Sequence, residues 1–220
     1  MRNFLKKITH PFLKIGLKIF YYKPRIYSYK ENSVLVHPDV FPPHLTLSTK
    51  ILLDFISQIK LENKKFLELG CGSGIISIHA SKMGALVTAS DINRTALEFL
   101  EKNSKRNNVQ IDIVFSNLFD SLPNIDFDYI IINPPYYPKS PKNIKENAWF
   151  CGENFDYFEN LFKQIHSKKI KSKIFLILSE DCQIDKIFAI ASKHNCNFTI
   201  KDKITSFGEL NFIFENQFTF

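Results

Sequence analysis

Residues 66–74 read FLELGCGSG, in which an apolar segment runs directly into a loop with glycine at every second position. Glycine tolerates positive φ angles and lets a ligand approach the backbone, so this pattern predicts a binding crevice. In a doubly wound sheet, such a crevice lies at the carboxyl ends of the strands. Asp91 follows Gly74 by 17 residues and ends the next predicted strand. A carboxylate in that position is typical of a group that binds ribose hydroxyls.

The glycine spacing excludes two nucleotide-binding loops. A dinucleotide-binding loop has the pattern Gly-x-Gly-x-x-Gly, but Ile75 occupies the last of these positions. A phosphate-binding P-loop ends in Lys followed by Ser or Thr, and no such pair follows this loop. Glu68 would repel a pyrophosphate and attract an ammonium group. S-adenosylmethionine fits, because it is cationic at one end and carries adenosine at the other. The alternative is a glycine turn that binds no ligand.

Strand-like and helix-like segments alternate around the loop and predict a doubly wound, mostly parallel α/β sheet with helices on both faces. The apolar runs within 127–132 and 174–178 are typical of strands buried on both sides. Runs 196–204 and 210–214 flank a turn and predict a C-terminal antiparallel hairpin. Residues 32–49 are interrupted by proline and predict an irregular, extended segment. The other predicted strands cover residues 65–69, 85–90 and 109–115, and the predicted helices cover residues 51–59, 74–83, 93–105, 153–166 and 184–194.

The composition predicts one globular domain with a basic appendage. The 220 residues are 45% apolar and include 22 phenylalanines, which excludes intrinsic disorder. No apolar run approaches the roughly 20 residues that span a bilayer, so no transmembrane segment is expected. The four cysteines show neither metal-ligand spacing nor a disulfide framework. We therefore predict no metal site and a reducing, cytoplasmic compartment.

Basic charge is concentrated at the start of the chain. Residues 1–30 contain eight basic residues and no acidic residue, which leaves 29 − 8 = 21 basic and 22 acidic residues elsewhere. Apolar side chains recur there at helical spacing and predict a basic amphipathic helix over the first 25 residues. We expect an N-terminal extension over residues 1–30 and a body over residues 31–220. The helix packs on the body, contacts a polyanion or another acidic partner, or lies on a membrane.

Asn133-Pro134-Pro135-Tyr136 directly follows an apolar run. The two prolines remove two backbone donors and stiffen the turn. The Asn133 side-chain oxygen and the Pro134 carbonyl oxygen would then accept hydrogen bonds from one NH₂ group, and Tyr136 would lie against the planar group that carries it. Two fixed acceptors localise the nitrogen lone pair for attack on a sulfonium methyl group, without a general base. The alternative is a tight turn without a chemical role.

The glycine loop, Asp91 and residues 133–136 together resemble class I S-adenosylmethionine-dependent methyltransferases over about residues 65–136. The resemblance implies a seven-stranded Rossmann-like sheet and S-adenosyl-L-methionine as cofactor. Asn117 stands where many relatives have an aspartate beside the adenine amine, and its amide oxygen would accept the same hydrogen bond. The implied cofactor-binding residues are Glu68, Gly70, Cys71, Gly72, Gly74, Asp91, Asn117 and Asn133. The implied acceptor-binding residues are Asn133, Pro134, Pro135 and Tyr136, of which Asn133, Pro134 and Tyr136 are the candidate catalytic residues.

Residues 146–152 read ENAWFCG and resemble the acidic-x-Ala-Trp-x-Gly-Gly stretch of protein-glutamine methyltransferases that act on translation release factors. Cys151 replaces the first glycine of that pair. This resemblance favours a glutamine side chain of a protein, such as a release factor, as the methyl acceptor. Enzymes that methylate exocyclic amines of adenine or guanine share the motif at 133–136, and the basic extension would suit RNA or DNA. A third hypothesis is a non-enzymatic relative that only binds cofactor or a partner. Trp149 packs under its loop or stacks on the substrate.

Overall fold

The structure, a computed structural model, describes residues 22–123, 126–206 and 208–217. The helices are α1 (Leu47–Ile56), α2 (Ile75–Lys82), α3 (Arg94–Arg106), α4 (Asp156–Ser167) and α5 (Ile184–Lys193). The strands are β1 (Arg25–Tyr29), β2 (Asn32–Val36), β3 (Lys65–Leu69), β4 (Leu86–Asp91), β5 (Asp112–Phe115), β6 (Tyr129–Ile132), β7 (Lys173–Ser179), β8 (Asn197–Ser206) and β9 (Glu209–Gln217).

Seven of the strands form one sheet in the order β5-β4-β3-β6-β7-β9-β8. The five strands from β5 to β7 run parallel, and β9 and β8 run antiparallel. The predicted fold is therefore confirmed as a mostly parallel seven-stranded sheet that ends in an antiparallel hairpin. None of the helices in the described ranges combines the length and apolar character that a bilayer crossing requires.

The register of β3 brings three functional segments to one edge of the sheet. Leu69, its last residue, lies opposite Ser90 of β4 and Ile132 of β6. The residues that come next along each strand are the glycine loop, Asp91 and the motif at 133–136. The strand order also reverses at β3, because β4 lies on one side of it and β6 on the other. Ligands of open α/β sheets bind at such a switch point.

Each face of the central strands has its own core, because successive side chains of a strand point to opposite faces. On one face, Leu67 of β3 and Ile130 of β6 belong to a cluster with buried residues of α4 and α5. On the other face, Phe66 and Ile131 belong to a cluster with α1 and α2. All four of these strand residues are fully buried. Coverage on both sides explains why the strands are apolar without alternation.

The first described segment differs from its prediction. Residues 25–36 form an antiparallel hairpin of β1 and β2, where the sequence analysis expected the end of a helix and the start of an irregular segment. The hairpin also crosses the predicted boundary between the extension and the body at residues 30 and 31. Val34 and Val36 of β2 are fully buried. Their burial depends on tertiary packing, which the local sequence pattern does not reveal. The prediction for residues 1–21 lies outside the described residues.

Asn103 of α3 fastens this hairpin to the rest of the domain. Its Oδ1 accepts from Leu35 N at 2.8 Å, and its Nδ2 donates to Leu35 O at 3.0 Å. The same Nδ2 donates to Ser73 O in the glycine loop at 3.0 Å. The side chain is 1% exposed, so all of these bonds form away from water. One buried amide therefore joins the hairpin to the loop.

The remaining differences are shifts of element ends. β5 begins at Asp112 rather than at residue 109, and β6 begins at Tyr129 rather than at residue 127. β8 and β9 extend beyond the predicted runs. The segment 137–153, for which no helix or strand was predicted, contains the short 3₁₀ helix Ile144–Ala148.

Candidate active site

The glycine loop turns three times through positive φ angles. Gly70, Gly72 and Gly74 have φ values of +79°, +52° and +79°. Gly70 N and the next amide, Cys71 N, both donate to Ser90 O, at 2.8 and 2.9 Å, and this pair holds the loop against the end of β4. A Cβ on Gly70 would point into open space, whereas one on Gly74 would collide with the Leu100 side chain. Gly70 therefore leaves room for a ligand, and Gly74 lets α3 pack against the loop.

Asp91 is fixed by main-chain amides on both sides. Its Oδ2 accepts from Gly72 N and its Oδ1 from Asn93 N, each at 2.8 Å. Burial raises the pKa of Asp91, and the hydrogen bonds from the amides of Asn93, Gly72 and Ile92 lower it. The carboxylate is thus held at the edge of the sheet in one orientation, with lone pairs left for a ligand.

Glu68 is buried beneath the loop, at 6% exposure. It accepts from Ser77 N at 2.8 Å and from the Ser77 hydroxyl, in the first turn of α2. Burial raises the pKa of Glu68 to about 8; the hydrogen bonds from Ser77 oppose this shift, and the nearby Asp91 adds to it. The free amides of a helix N-terminus favour a carboxylate, which explains why an acid is tolerated here.

A cavity of about 380 Å³ lies over this loop. The wall residues that matter for its chemistry are acidic, amide and small polar groups, and none of the described lysines, arginines or histidines lines it. The buried Ser90 Oγ, also in the wall, has no hydrogen-bond partner among the described residues. The sequence-predicted residues that line the cavity are Glu68, Gly70, Cys71, Gly72, Asp91, Asn117, Asn133 and Pro135. Gly74, Pro134 and Tyr136 do not line it.

These groups fit S-adenosylmethionine better than a nucleotide with phosphates. Glu68 and Asp91 are acidic, and a phosphate would find no cation among the described wall residues. The open space at Gly70 leaves room for an approaching ligand, and Ser90 Oγ offers an unused hydrogen-bonding group. No group of acids, histidines and cysteines in the described residues is arranged to hold a metal ion.

The structure adds wall residues that the sequence did not indicate. Val40 and Phe41, from the segment before α1, and Tyr157 and Asn160, from α4, line the cavity. Leu118 also lines it and has a φ of +52°, which is rare for a branched side chain. No local pattern marks these residues, because they reach the cavity only through the tertiary fold.

Asn133 is oriented by a residue 85 positions earlier. Its Nδ2 donates to Ser48 Oγ at 3.1 Å, and Ser48 Oγ donates to Thr46 Oγ1 at 3.4 Å. Because the serine proton points to Thr46, the serine oxygen accepts from the amide NH₂ group. No described residue donates to Asn133 Oδ1. Asn133 therefore presents an acceptor oxygen that the protein itself does not use.

A second cavity, of about 140 Å³, lies beside Tyr136. Its wall comes from the start of α1, residues 136–137, Trp149, and the ends of β7 and β9. The centre of the Trp149 ring lies 5.0 Å from that of Phe41, and the Trp149 side chain also borders the cavity. Burial is the main cause that raises the pKa of Tyr136, so its phenol stays neutral.

Hydrogen bonds between its own backbone groups hold the loop that carries Trp149. Tyr137 N donates to Trp149 O at 3.1 Å, and Cys151 N donates to Tyr137 O at 3.0 Å. Gly152 has a φ of +88°, and a Cβ there would collide with the Asp156 carboxylate. Cys151 does not have a positive φ, so a side chain fits at the first position of the Gly-Gly pair but not at the second.

A family model described as "Methyltransferase small domain" matches residues 31–149. A chain of Methanocaldococcus jannaschii named a protein N5-glutamine methyltransferase is 40% identical over 106 residues, which are 48% of this chain and 51% of that one. The release factor glutamine methyltransferase of Aquifex aeolicus is 24% identical over 168 residues, which are 70% of this chain and 57% of that one. The chain thus spans about half the length of these curated relatives.

Among solved structures, the 16S rRNA N2 G1207 methyltransferase of T. thermophilus, in complex with AdoMet and guanosine, has the same fold. The TM-score is 0.64 at 14% identity, and the match covers 89% of this chain and 50% of that one.

Proposed function

The chain belongs to the methyltransferase small domain family, a group of S-adenosylmethionine-dependent enzymes, and we propose that it methylates a planar amide nitrogen. The proposed acceptor is the side-chain nitrogen of a glutamine in a protein such as a translation release factor. The free oxygen of Asn133 carries this proposal, because an oxygen held at the cavity edge without a protein donor suits an NH₂ group of a substrate.

The larger cavity supplies the proposed donor site. Bound S-adenosylmethionine supplies a methyl group on a positively charged sulfur, which a nitrogen lone pair attacks. Glu68 would lie near the ammonium end, and Asp91 would accept hydrogen bonds from the ribose hydroxyls. The amide oxygen of Asn117 would accept a hydrogen bond from the adenine amine. Gly70, Cys71 and Gly72 provide the open backbone surface between these groups.

The acceptor motif supplies orientation rather than proton transfer. Ser48 holds the Asn133 amide, so Oδ1 is fixed before the substrate arrives. With the Pro134 carbonyl as a second acceptor, both protons of one NH₂ group would be held, and the nitrogen lone pair would be freed from the neighbouring π-system. Tyr136 would form a flat wall beside the planar group. A preorganised pair of dipoles of this kind needs no reorganisation during the reaction.

The glutamine acceptor is supported by the loop after the motif. Backbone hydrogen bonds join Tyr137 to Trp149 and Cys151, and the stretch 146–152 borders both cavities: Trp149 lines the second one, and residues 147, 148 and 150–152 line the larger one. This stretch resembles the one in protein-glutamine methyltransferases, and the relative that is 40% identical bears that name. Cys151, the one departure, sits where the backbone accepts a side chain.

A second candidate acceptor is an exocyclic amine of adenine or guanine in RNA or DNA. The eight basic residues among residues 1–30 favour it, because Lys and Arg neutralise phosphates. These contacts would weaken steeply with added salt.

The test is methyl transfer from a radiolabelled donor to purified release factor, other proteins and RNA, with mass spectrometry to locate the methylated atom. We expect label in protein, on a glutamine side chain. Asn133→Ala is the inactive reference, and Asn197→Ala, at the far edge strand β8, is the matched control. Label confined to nucleic acid, or to protein oxygen atoms, would contradict the proposal.

A further inference from the structure

The second cavity lies on the acceptor side of the motif. Ser48 and Tyr136 both line it, and Ser48 contacts Asn133 directly. The larger cavity lies on the other side, where Asn133 and Pro135 form part of its wall. If the larger cavity takes the methyl donor, the second cavity is where the substrate segment next to the acceptor nitrogen would lie.

This second cavity is acidic. Asp181 and Glu209 line it, and no lysine, arginine or histidine of the described ranges belongs to its wall. Neither carboxylate forms an ion pair with any residue in the described ranges. Glu209 is also close enough to Tyr136 to contribute, after burial and the two neighbours Tyr137 and Cys182, to the raised pKa of that phenol.

The two acids lie at one end of an antiparallel strand pair. The pairing of β7 with β9 continues beyond the strand end, because Glu180 N donates to Leu210 O at 2.8 Å. Glu180 Oε1 also accepts from Leu210 N at 3.1 Å. One step further along each side come Asp181 and Glu209. Two carboxylates in the wall of one small cavity repel each other, and a cation bound between them would relieve the repulsion.

The lysines of a loop that borders the second cavity do not neutralise Asp181 and Glu209. The loop that carries Tyr137 and Trp149 also carries Lys139, Lys142 and Lys145, and none of these three lines the cavity. Lys139 Nζ lies 4.7 Å from the centre of the Phe150 ring, and Lys145 Nζ pairs with Asp39 at 3.2 Å. Both side chains therefore have partners away from the acidic pair.

We propose that the second cavity binds a lysine or arginine that lies next to the methylated glutamine in the substrate, so that the acceptor is a basic peptide segment. This inference rests on the proposed function, since it concerns the substrate of that same site. A nucleic acid is disfavoured here, because among the described wall residues its phosphates would meet two carboxylates and no cation.

The test compares two synthetic glutamine peptides that differ only in their flanking residues, arginine in one and glutamate in the other. The full chain is assayed with saturating methyl donor, and binding of the fluorescent peptides is measured separately by anisotropy. We expect tighter binding and a lower KM for the arginine peptide, and this preference should shrink as salt is added.

The variants Asp181→Asn and Glu209→Gln keep the shape of the side chains and remove one charge each. Each should raise the KM for the arginine peptide roughly two- to fivefold, as expected for a partly exposed ion pair, and leave kcat unchanged. Asp112→Asn, on the opposite edge strand, is the control and should change neither constant.

The outcomes separate the two proposals. If both peptides are methylated equally, or the variants leave the preference unchanged, this inference is wrong and the proposed function stands. If no glutamine peptide is bound or methylated while an RNA oligonucleotide is, both are wrong.

Discussion

The two cavities on either side of the Asn133 motif are built in different ways. The larger one rests on residues 68–74 and 90–93, which are joined by main-chain hydrogen bonds between the ends of adjacent strands. The second one is assembled from side chains between residues 45 and 211 that belong to several distant segments. The backbone fixes the first site, while side chains determine the second. Substrate preference can therefore change by substitution in the second cavity without disturbance of the first.

The sharpest test of this division is Asn133→Ala. Loss of one preorganised acceptor should lower kcat by roughly 100- to 1,000-fold, by analogy with the removal of one oxyanion-hole donor. Affinity for S-adenosylmethionine, measured by calorimetry, should change by less than about threefold, because other wall residues hold the donor. An equal loss of donor affinity would mean that Asn133 belongs functionally to the larger cavity.

Two glycine substitutions separate packing from binding within the glycine loop. Gly74→Ala should lower the free energy of unfolding by about 2–4 kcal/mol, because it combines a strained φ with a collision against Leu100. Gly70→Ala should cost only about 1–2 kcal/mol, because its Cβ meets open space. Urea unfolding measures both variants.

The two glycine variants should rank in the opposite order when affinity for the methyl donor is measured. Gly70→Ala places a methyl group at the wall of the larger cavity and should weaken donor binding more than Gly74→Ala does in the folded fraction. Equal stability losses in the two variants would contradict the packing role of Gly74.

Glu68, in the wall of the larger cavity, should make the free energy of unfolding depend on pH. Its pKa in the folded state is raised to about 8 from an ordinary value of 4.5. Between these values the folded state binds more protons than the unfolded state, so the free energy of unfolding should fall as pH rises, by at most about 1.4 kcal/mol per unit. Urea titrations from pH 5 to pH 8 measure this slope.

Glu68→Gln should flatten that slope, and Glu98→Gln, at an exposed position of α3, should leave it unchanged. A slope that persists in Glu68→Gln would assign the pH dependence to another group.

The smallest effect is expected at Ser48, which acts through Asn133. Ser48→Ala should lower kcat about three- to tenfold, as expected for one lost hydrogen bond, and leave donor affinity unchanged. Ser48→Thr keeps the hydroxyl and should restore most of kcat. If Ser48→Ala raised only the KM for substrate, Ser48 would be a cavity wall and not a positioning residue.

The difference between the two cavities also explains which features could be predicted from the sequence. The glycine loop and Asp91 lie within one stretch of 22 residues (70–91). Their spacing follows from the loop, one helix and one strand. The parallel core could be predicted because strands buried on both sides must be apolar. These features depend on neighbours in the chain, so a single sequence reveals them.

The missed features depend on distant neighbours. The β1–β2 hairpin is stabilised by Asn103, about 70 residues later, and nothing within 25–36 indicates that contact. Likewise, nothing in the sequence places Ser48 beside Asn133, which lies 85 residues later. Asp181 and Glu209 line one cavity because β7 pairs with β9, and both residues lie outside the runs 174–178 and 210–214 that were predicted as strands.

The contacts of Asn103 also bear on how the protein can be divided for experiments. The family match begins at residue 31, and a fragment cut there would retain every residue of both recognised motifs. It would nevertheless lose β1, the strand that pairs with β2, and Asn103 would hold an unpaired strand beside the glycine loop. Fragments intended for donor-binding or crystallisation work should therefore start before Arg25, so that residue 73 keeps its support.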